Sequence, residues 1–337
     1  MSSHGSKLAV FTAIGVNGVI MLVKGGTFLV TGSGSMLSEA VHSAADVGNQ
    51  ALLAVGMRTG EKPADDEHPG GYGREAFVWS LISAVGMFFL GCGVSITHGV
   101  NQLRHGAHGD EQHGMLNIGI LLLALVLEGG SAGVAIRGML TDAKKAGMGI
   151  TEYFEKSDDP FGIAVLFEDG AAILGVLFAL IAVALTQWTG HAYWDALGSI
   201  VIGVLLGFVA VFLIQKNRTL LIGKSIHLED QARLRKLLAS DPAVESVKSS
   251  TGWVVGTSAY RINTELDFDG RYFASKYLEH VDAGALHQRL DSPDAVKSFL
   301  AEYSEDVLTR MGKEIDRIED KIRLEMPKAR HIAIEPD

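Results

Sequence analysis

The sequence predicts an all-α membrane domain of six transmembrane helices joined to an α+β C-terminal domain of order α-β-β-α-β. Three observations predict it. Charged and apolar residues are segregated along the chain, six apolar runs in its first two thirds are long enough to cross a bilayer, and the last third has the even charge and alternating hydropathy of soluble elements.

The segregation explains how 47% hydrophobic residues coexist with 20% charged ones in 337 residues. Residues 1–216 hold 11 Lys/Arg and 18 Asp/Glu, crowded between the apolar runs, whereas residues 217–337 hold 18 and 21, spread evenly. The domain boundary is therefore expected between 216 and 217. A formal net charge of −10 argues against a nucleic-acid partner, which selects for a basic face. The single cysteine, Cys92, excludes an intramolecular disulfide framework and a Cys-rich metal cluster.

A spanning helix needs about 20 mainly apolar residues. Segments near 8–30, 36–57, 76–100, 115–136, 161–187 and 195–215 meet that length. The first, starting at Leu8, is long enough to span and lacks the small-residue cleavage pattern of a removable leader. The turns 31–35 and 189–192 contain no Lys or Arg. The loops 58–75 and 137–160 carry Arg58, Lys62, Arg74, Arg137, Lys144, Lys145 and Lys156, and Lys216, Arg218 and Lys224 follow the sixth span. Positive charge marks the cytoplasmic side, so both termini and the C-terminal domain are expected there. Gly203 and Gly207 form a small-xxx-small pattern that permits close helix packing, although 40 glycines make such a match common by chance.

In the tail, residues 229–239 suit an amphipathic helix. Residues 244–257 and 258–269 alternate, with Tyr260, Ile262, Thr264, Leu266 and Phe268 on one face against Arg261, Asn263, Glu265 and Asp267. A helical stripe runs through Val307, Met311, Ile315, Ile318, Ile322 and Leu324, and residues 331–335 close as a strand. The stretch 270–304 reads as an insertion containing helix.

An ionised side chain at mid-span costs about 2.5–3.5 kcal/mol on translocon scales, so each one asks for a reason. The set here is Glu39, His42 and Asp46 in span two, Glu128 in span four, and Glu168 and Asp169 in span five. Lys24 and Asp195 lie nearer span ends, where snorkelling or exposure at the interface accounts for them. His42 and Asp46 are four residues apart and so share a helix face. Imidazole nitrogen with carboxylate oxygen is a ligand pair that zinc accepts, and one helix can supply only half of a tetrahedral site. Glu168 and Asp169 are the candidates for the other half. Adjacent residues differ by about 100° around a helix, so one is expected to bind the ion and the other to support it. Glu39, three residues before His42, is placed to orient the ring. Glu128 fits either a buried carboxyl bonded to Ser131 or another helix, or a transport role. His98, His105, His108 and His113 flank the loop between spans three and four, where they read as solvated or as an outer capture site. Asp65 and His68 belong to an acidic loop run that is solvated or pre-binds cations.

Three ordered motifs now carry a resemblance. Ser38-Glu-Ala-Val-His-Ser-Ala-Ala-Asp46, the loop Lys62-Pro-Ala-Asp-Asp-Glu-His-Pro-Gly-Gly-Tyr-Gly-Arg-Glu75, and Trp194-Asp-Ala-Leu-Gly-Ser-Ile-Val-Ile-Gly203 resemble the cation diffusion facilitator family of zinc transporters. The likeness covers nearly the whole chain, because the tail is similar to that family's ferredoxin-like cytoplasmic domain. Glu168-Asp-Gly-Ala-Ala-Ile-Leu-Gly175 is similar to the divergent branch that includes the mitochondrial zinc transporters of animals. The resemblance implies a homodimer in a bilayer, a multi-pass protein of the bacterial inner membrane that exchanges cytoplasmic Zn²⁺ for protons by alternating access. It implies no resident cofactor and no enzymatic activity. His42, Asp46 and Asp169 match the family's metal ligands, but Val165 stands where span five has a histidine, leaving Glu168 as the candidate fourth ligand. Asp65 and His68 match part of a secondary loop site in which Tyr72 replaces a histidine. His227 and His331 fall near regulatory metal positions of bacterial members.

A one-histidine, three-carboxylate site has harder oxygen character than a two-histidine one. This admits Mn²⁺ and Fe²⁺, and Co²⁺ or Cd²⁺, beside Zn²⁺. The rival readings are a proton-coupled carrier of an organic cation, which the lack of an aromatic cage near span two disfavours, and a non-transporting membrane scaffold or metal sensor, which leaves the buried acids unexplained. A membrane enzyme would need a nucleophile–base pair, and the spans offer none.

Overall fold

A computed structural model of the chain describes residues 4–31, 34–105, 114–145, 147–191 and 193–337. The chain divides after Ile222 into two compact units.

The first unit is a bundle of long helices: α1 (His4–Thr31), α2 (Gly34–Gly60), α3 (Glu75–Gly86), α4 (Val94–His105), α5 (Gly114–Lys145), the short α6 (Ile150–Lys156), α7 (Pro160–Thr189) and α8 (Tyr193–Ile222). A π-helical stretch, Met87–Gly93, joins α3 to α4 into one rod. Five rods are long and apolar enough among the described residues to cross a membrane: His4–Val30, Glu75–Arg104, Ile118–Lys145, Pro160–Thr189 and Tyr193–Ile222. Phe11, Leu22, Phe89, Val126 and Phe208 are exposed on them, which is the surface a lipid solvent favours. The segment expected at 36–57 is present as α2, 27 residues long, but its polar residues lower its mean hydropathy below that of the other five. Three of them point inward. Ser43, Asn49 and Gln50 are buried, while Ala44, Gly48, Ala51 and Val55 form the exposed face at helical spacing.

α1 packs against α2, α5 and α7, and α8 packs against α3, α4 and α7. Small residues let the backbones approach. A Cβ on Gly203 would lie 2.7 Å from Ile96 Cγ1, one on Gly207 would lie 2.9 Å from Cys92 Sγ, and one on Gly99 would lie 2.6 Å from the Ala196 carbonyl. The Gly203/Gly207 pair is thus used within the chain, against the π stretch and α4. At the other end of the bundle, Asp159 caps α7 by accepting from Phe161 N at 3.0 Å and also accepts from Ser6 Oγ of α1 at 2.7 Å. α8 continues through Lys216 and Arg218 to Ile222, past the boundary expected at 216. Helical hydrogen bonding is not interrupted by the half-buried Lys216 or the exposed Arg218, and Gly223, at φ +107°, ends it.

The second unit holds a three-stranded mixed sheet in the order β1-β2-β3, with β1 Val244–Gly256, β2 Ala259–Phe268 and β3 Ala329–Pro336. β1 and β2 are joined through two residues, which requires an antiparallel pair. β2 and β3 are parallel, with Ile262 opposite Ile332 and Thr264 opposite Ile334. The helices are α9 (Leu228–Ala239), α10 (Gly270–Leu278), α11 (Ala283–Arg289) and α12 (Pro293–Glu325). Tyr260, Ile262, Thr264 and Leu266 are buried as the alternation predicts. Two expectations are corrected. The helix expected from 305 begins earlier, because 293–304 is the start of the single helix α12, capped by Ser292 and begun by Pro293. Leu324 is 82% exposed, whereas Ile318 and Ile322 are buried, since a residue two positions after Ile322 turns about 200° away from its face.

Candidate functional site

The bundle encloses a cavity of about 110 Å³, with room for several water molecules. His42, Asp46, Glu128, Glu168 and Asp169 all line it, so three different helices bring to one place every intramembrane acid singled out above whose side chain is described. The side chain of Glu39 lies outside the described residues, as do those of His105, His108 and His113.

On α2 the helical repeat places His42 Nε2 4.0 Å from Asp46 Oδ2, both half-buried. Gln50 continues the same face one turn on, 1% exposed, and its Nε2 donates to Glu168 Oε2 of α7 at 2.6 Å. Glu168 Oε1 and Asp169 Oδ2 are buried and accept no hydrogen bond from the protein. Acceptors buried without donors are scarce in protein interiors, and together with charge they favour a cation or a proton in the cavity. Val165 is fully buried and does not line the cavity, so the residue that accompanies Asp169 there is Glu168. Glu128 is 8% exposed, and no hydrogen bond joins it to Ser131.

The four predicted ligands share the cavity without converging. Among the described residues, no three His, Cys, Asp or Glu side chains sit close enough together to hold an ion. Lys24, for which the sequence suggests snorkelling or interface exposure near a span end, is instead 6% exposed and lines the cavity with Asn17, Asn49 and Gln50. Hydropathy registers the amides only as a lowered mean over α2 and does not single out which of them faces an acid; spacing from Asp46 could have found Gln50. Asp195 does sit at a helix start, where Gln102 Nε2 donates to it at 3.0 Å.

The loop residues form a different structure. Asp65 Oδ1 accepts from His68 N at 2.7 Å, and Asp65 Oδ2 accepts from the Tyr72 hydroxyl at 2.8 Å. The His68 backbone N–H and the Tyr72 hydroxyl hold the Asp65 carboxyl below its ordinary range. The His68 and Tyr72 rings lie 4.3 Å apart. The Tyr72 hydroxyl thus takes one acceptor position of this half-exposed carboxylate.

Long apolar helices around a polar, acid-lined cavity define a membrane transport protein. Residues 10–222 match the cation efflux transmembrane domain, and the chain belongs to the cation efflux family, a family of transporters and not of enzymes. It is 37% identical over 341 residues to metal tolerance protein C4 of Arabidopsis thaliana, covering 99% of this chain and 74% of that protein. It is 36% identical over 334 residues to the human mitochondrial proton-coupled zinc antiporter SLC30A9, covering 98% of this chain and 58% of that one. A shorter likeness, 34% over 94 residues, links it to the magnetosome protein MamM of Paramagnetospirillum magneticum, covering 28% of this chain and 29% of that protein. The chain thus spans little more than half the length of the human relative.

Proposed function

We propose that this chain exports Zn²⁺ from the cytoplasm in exchange for protons, with His42, Asp46, Glu168 and Asp169 as the ligands that carry the ion. The observation that supports this most is the pair of buried carboxylate oxygens on α7, without hydrogen-bond donors, in the same cavity as His42 and Asp46. The ion binds a neutral imidazole and ionised carboxylates, so protons leave as it enters and return as it is released. In this reading the four ligands converge only with the ion, moving from the separated positions they hold across the cavity. Glu128 serves as a proton acceptor or accessory carboxylate, and Glu39 orients His42.

The names of the relatives support zinc and proton coupling, and the three carboxylates keep Mn²⁺ and Fe²⁺ as the second reading. Residues through Ile222, with α2 as the sixth span, form the transport domain, and the tail is a three-stranded version of the ferredoxin-like fold on the cytoplasmic side. Both termini are cytoplasmic by the charge of the loops, in a bacterial inner membrane, and two copies form the transporting unit. Uptake of Zn²⁺, Mn²⁺, Fe²⁺, Co²⁺ and Cd²⁺ into proteoliposomes with an imposed proton gradient tests the activity. The Asp46→Ala, Asp169→Ala double variant is expected to abolish uptake, and uptake at the wild-type rate would sink the site.

A further inference from the structure

Gln50 follows Asp46 by four residues, so α2 presents His42, Asp46 and Gln50 in a row toward the cavity. Its amide nitrogen reaches across to α7 and donates to Glu168 Oε2 at 2.6 Å. Its own Oε1 accepts no hydrogen bond, and neither do Glu168 Oε1 and Asp169 Oδ2. Glu168 and Asp169 are neighbours on one helix and diverge by about 100°, so they reach the same point only if one is drawn there. A carboxylate is an acceptor only, which makes the donated N–H the group that fixes where the Glu168 head lies.

We infer that Gln50 is the positioning residue for Glu168, the carboxylate that shares the cavity with Asp169. It draws Glu168 toward α2 and leaves a single oxygen, Oε1, for the ion. The inference rests on the metal-site reading above. One oxygen engaged by an amide restricts Glu168 to monodentate ligation, which suits a four-coordinate Zn²⁺; a released carboxylate can bind through both oxygens and suits ions that take more oxygen ligands. Gln50 thereby acts on affinity and on ion preference, and it adds no charge to the cavity.

The test is transport kinetics in proteoliposomes for Gln50→Met, which keeps the length of the side chain and removes the amide. A hydrogen bond to a charged group sets the expected rise in KM for Zn²⁺ on the order of tenfold, with kcat changed less and the Zn²⁺ to Mn²⁺ preference reduced. In the Glu168→Met background, where the acceptor of the amide is gone, the same substitution is expected to have little further effect on residual Zn²⁺ uptake, because both changes remove one interaction. Unchanged KM and ion preference, or an equal loss in both backgrounds, overturns the inference. Should Gln50→Met fail to insert, Gln50→Asn keeps the amide and shortens its reach; it is expected to raise KM, and wild-type kinetics would overturn the inference. Undiminished uptake by the Asp46→Ala, Asp169→Ala variant defeats the site itself. Its loss together with wild-type behaviour of both Gln50 variants defeats only the role given to Gln50.

Discussion

Replacing Asp241 with asparagine is expected to loosen the tail by a calculable amount. The Asp241 side chain is 1% exposed and accepts from Arg317 Nη2 at 2.5 Å, Arg317 Nη1 at 3.1 Å and Lys321 Nζ at 3.1 Å, joining the end of α9 to α12. Breaking a buried ion pair costs about 3–5 kcal/mol, chiefly because a charge is left stranded. Here the stranded cations are 43% and 37% exposed and regain water, which lowers the expected loss to about 2 kcal/mol. Hydrogen exchange of the full-length protein in detergent measures it. Amides of α12 near Ile318 and Ile322 should lose protection by roughly thirtyfold, since each 1.36 kcal/mol is a factor of ten. The pH dependence supplies the second half of the test. Burial raises the Asp241 carboxyl, but hydrogen bonds from Arg317 and Lys321 outweigh it and hold the group below its ordinary 3.8. A carboxyl whose folded value is lowered stabilises above its unfolded value, and that stabilisation disappears as pH falls through the folded one. Wild type and variant should therefore differ at neutral pH and converge in acid below that value. Equal protection at neutral pH, or a difference that persists unchanged at the acid end, refutes the reasoning.

Two further outcomes are expected. Gly203→Ala should lower the thermal midpoint of the detergent-solubilised protein, because its Cβ meets Ile96 Cγ1 at 2.7 Å and the Ile96 backbone N at 3.0 Å, and overpacking costs about 1–3 kcal/mol. Gly119→Ala, whose Cβ has open space, should not lower it. Asp65→Ala should leave Zn²⁺ uptake in proteoliposomes at the wild-type level, because that carboxylate is engaged by His68 N and Tyr72; a lost or slowed uptake would restore the loop as a transport element.

The long apolar helices, the charge-rich tail with its strand faces, and the acids worth suspecting can all be read from the chain alone. These properties follow from local periodicity and from the expense of charge in hydrocarbon. Alternation found the buried face of β2 from Tyr260 to Leu266, with Phe268 only half-buried, and the α12 stripe overreached at Leu324, where periodicity drifted off the packed face. Packing in three dimensions was needed to see that Lys24 turns inward, that Gly203 and Gly207 pack against Ile96 and Cys92, and that Gln50 reaches Glu168. Each joins residues far apart in the chain, and a neutral amide or a glycine carries no local mark of its partner. His42 and Asp46 were legible because a helix sets their spacing, whereas what stands across from them was decided by which helices pack together.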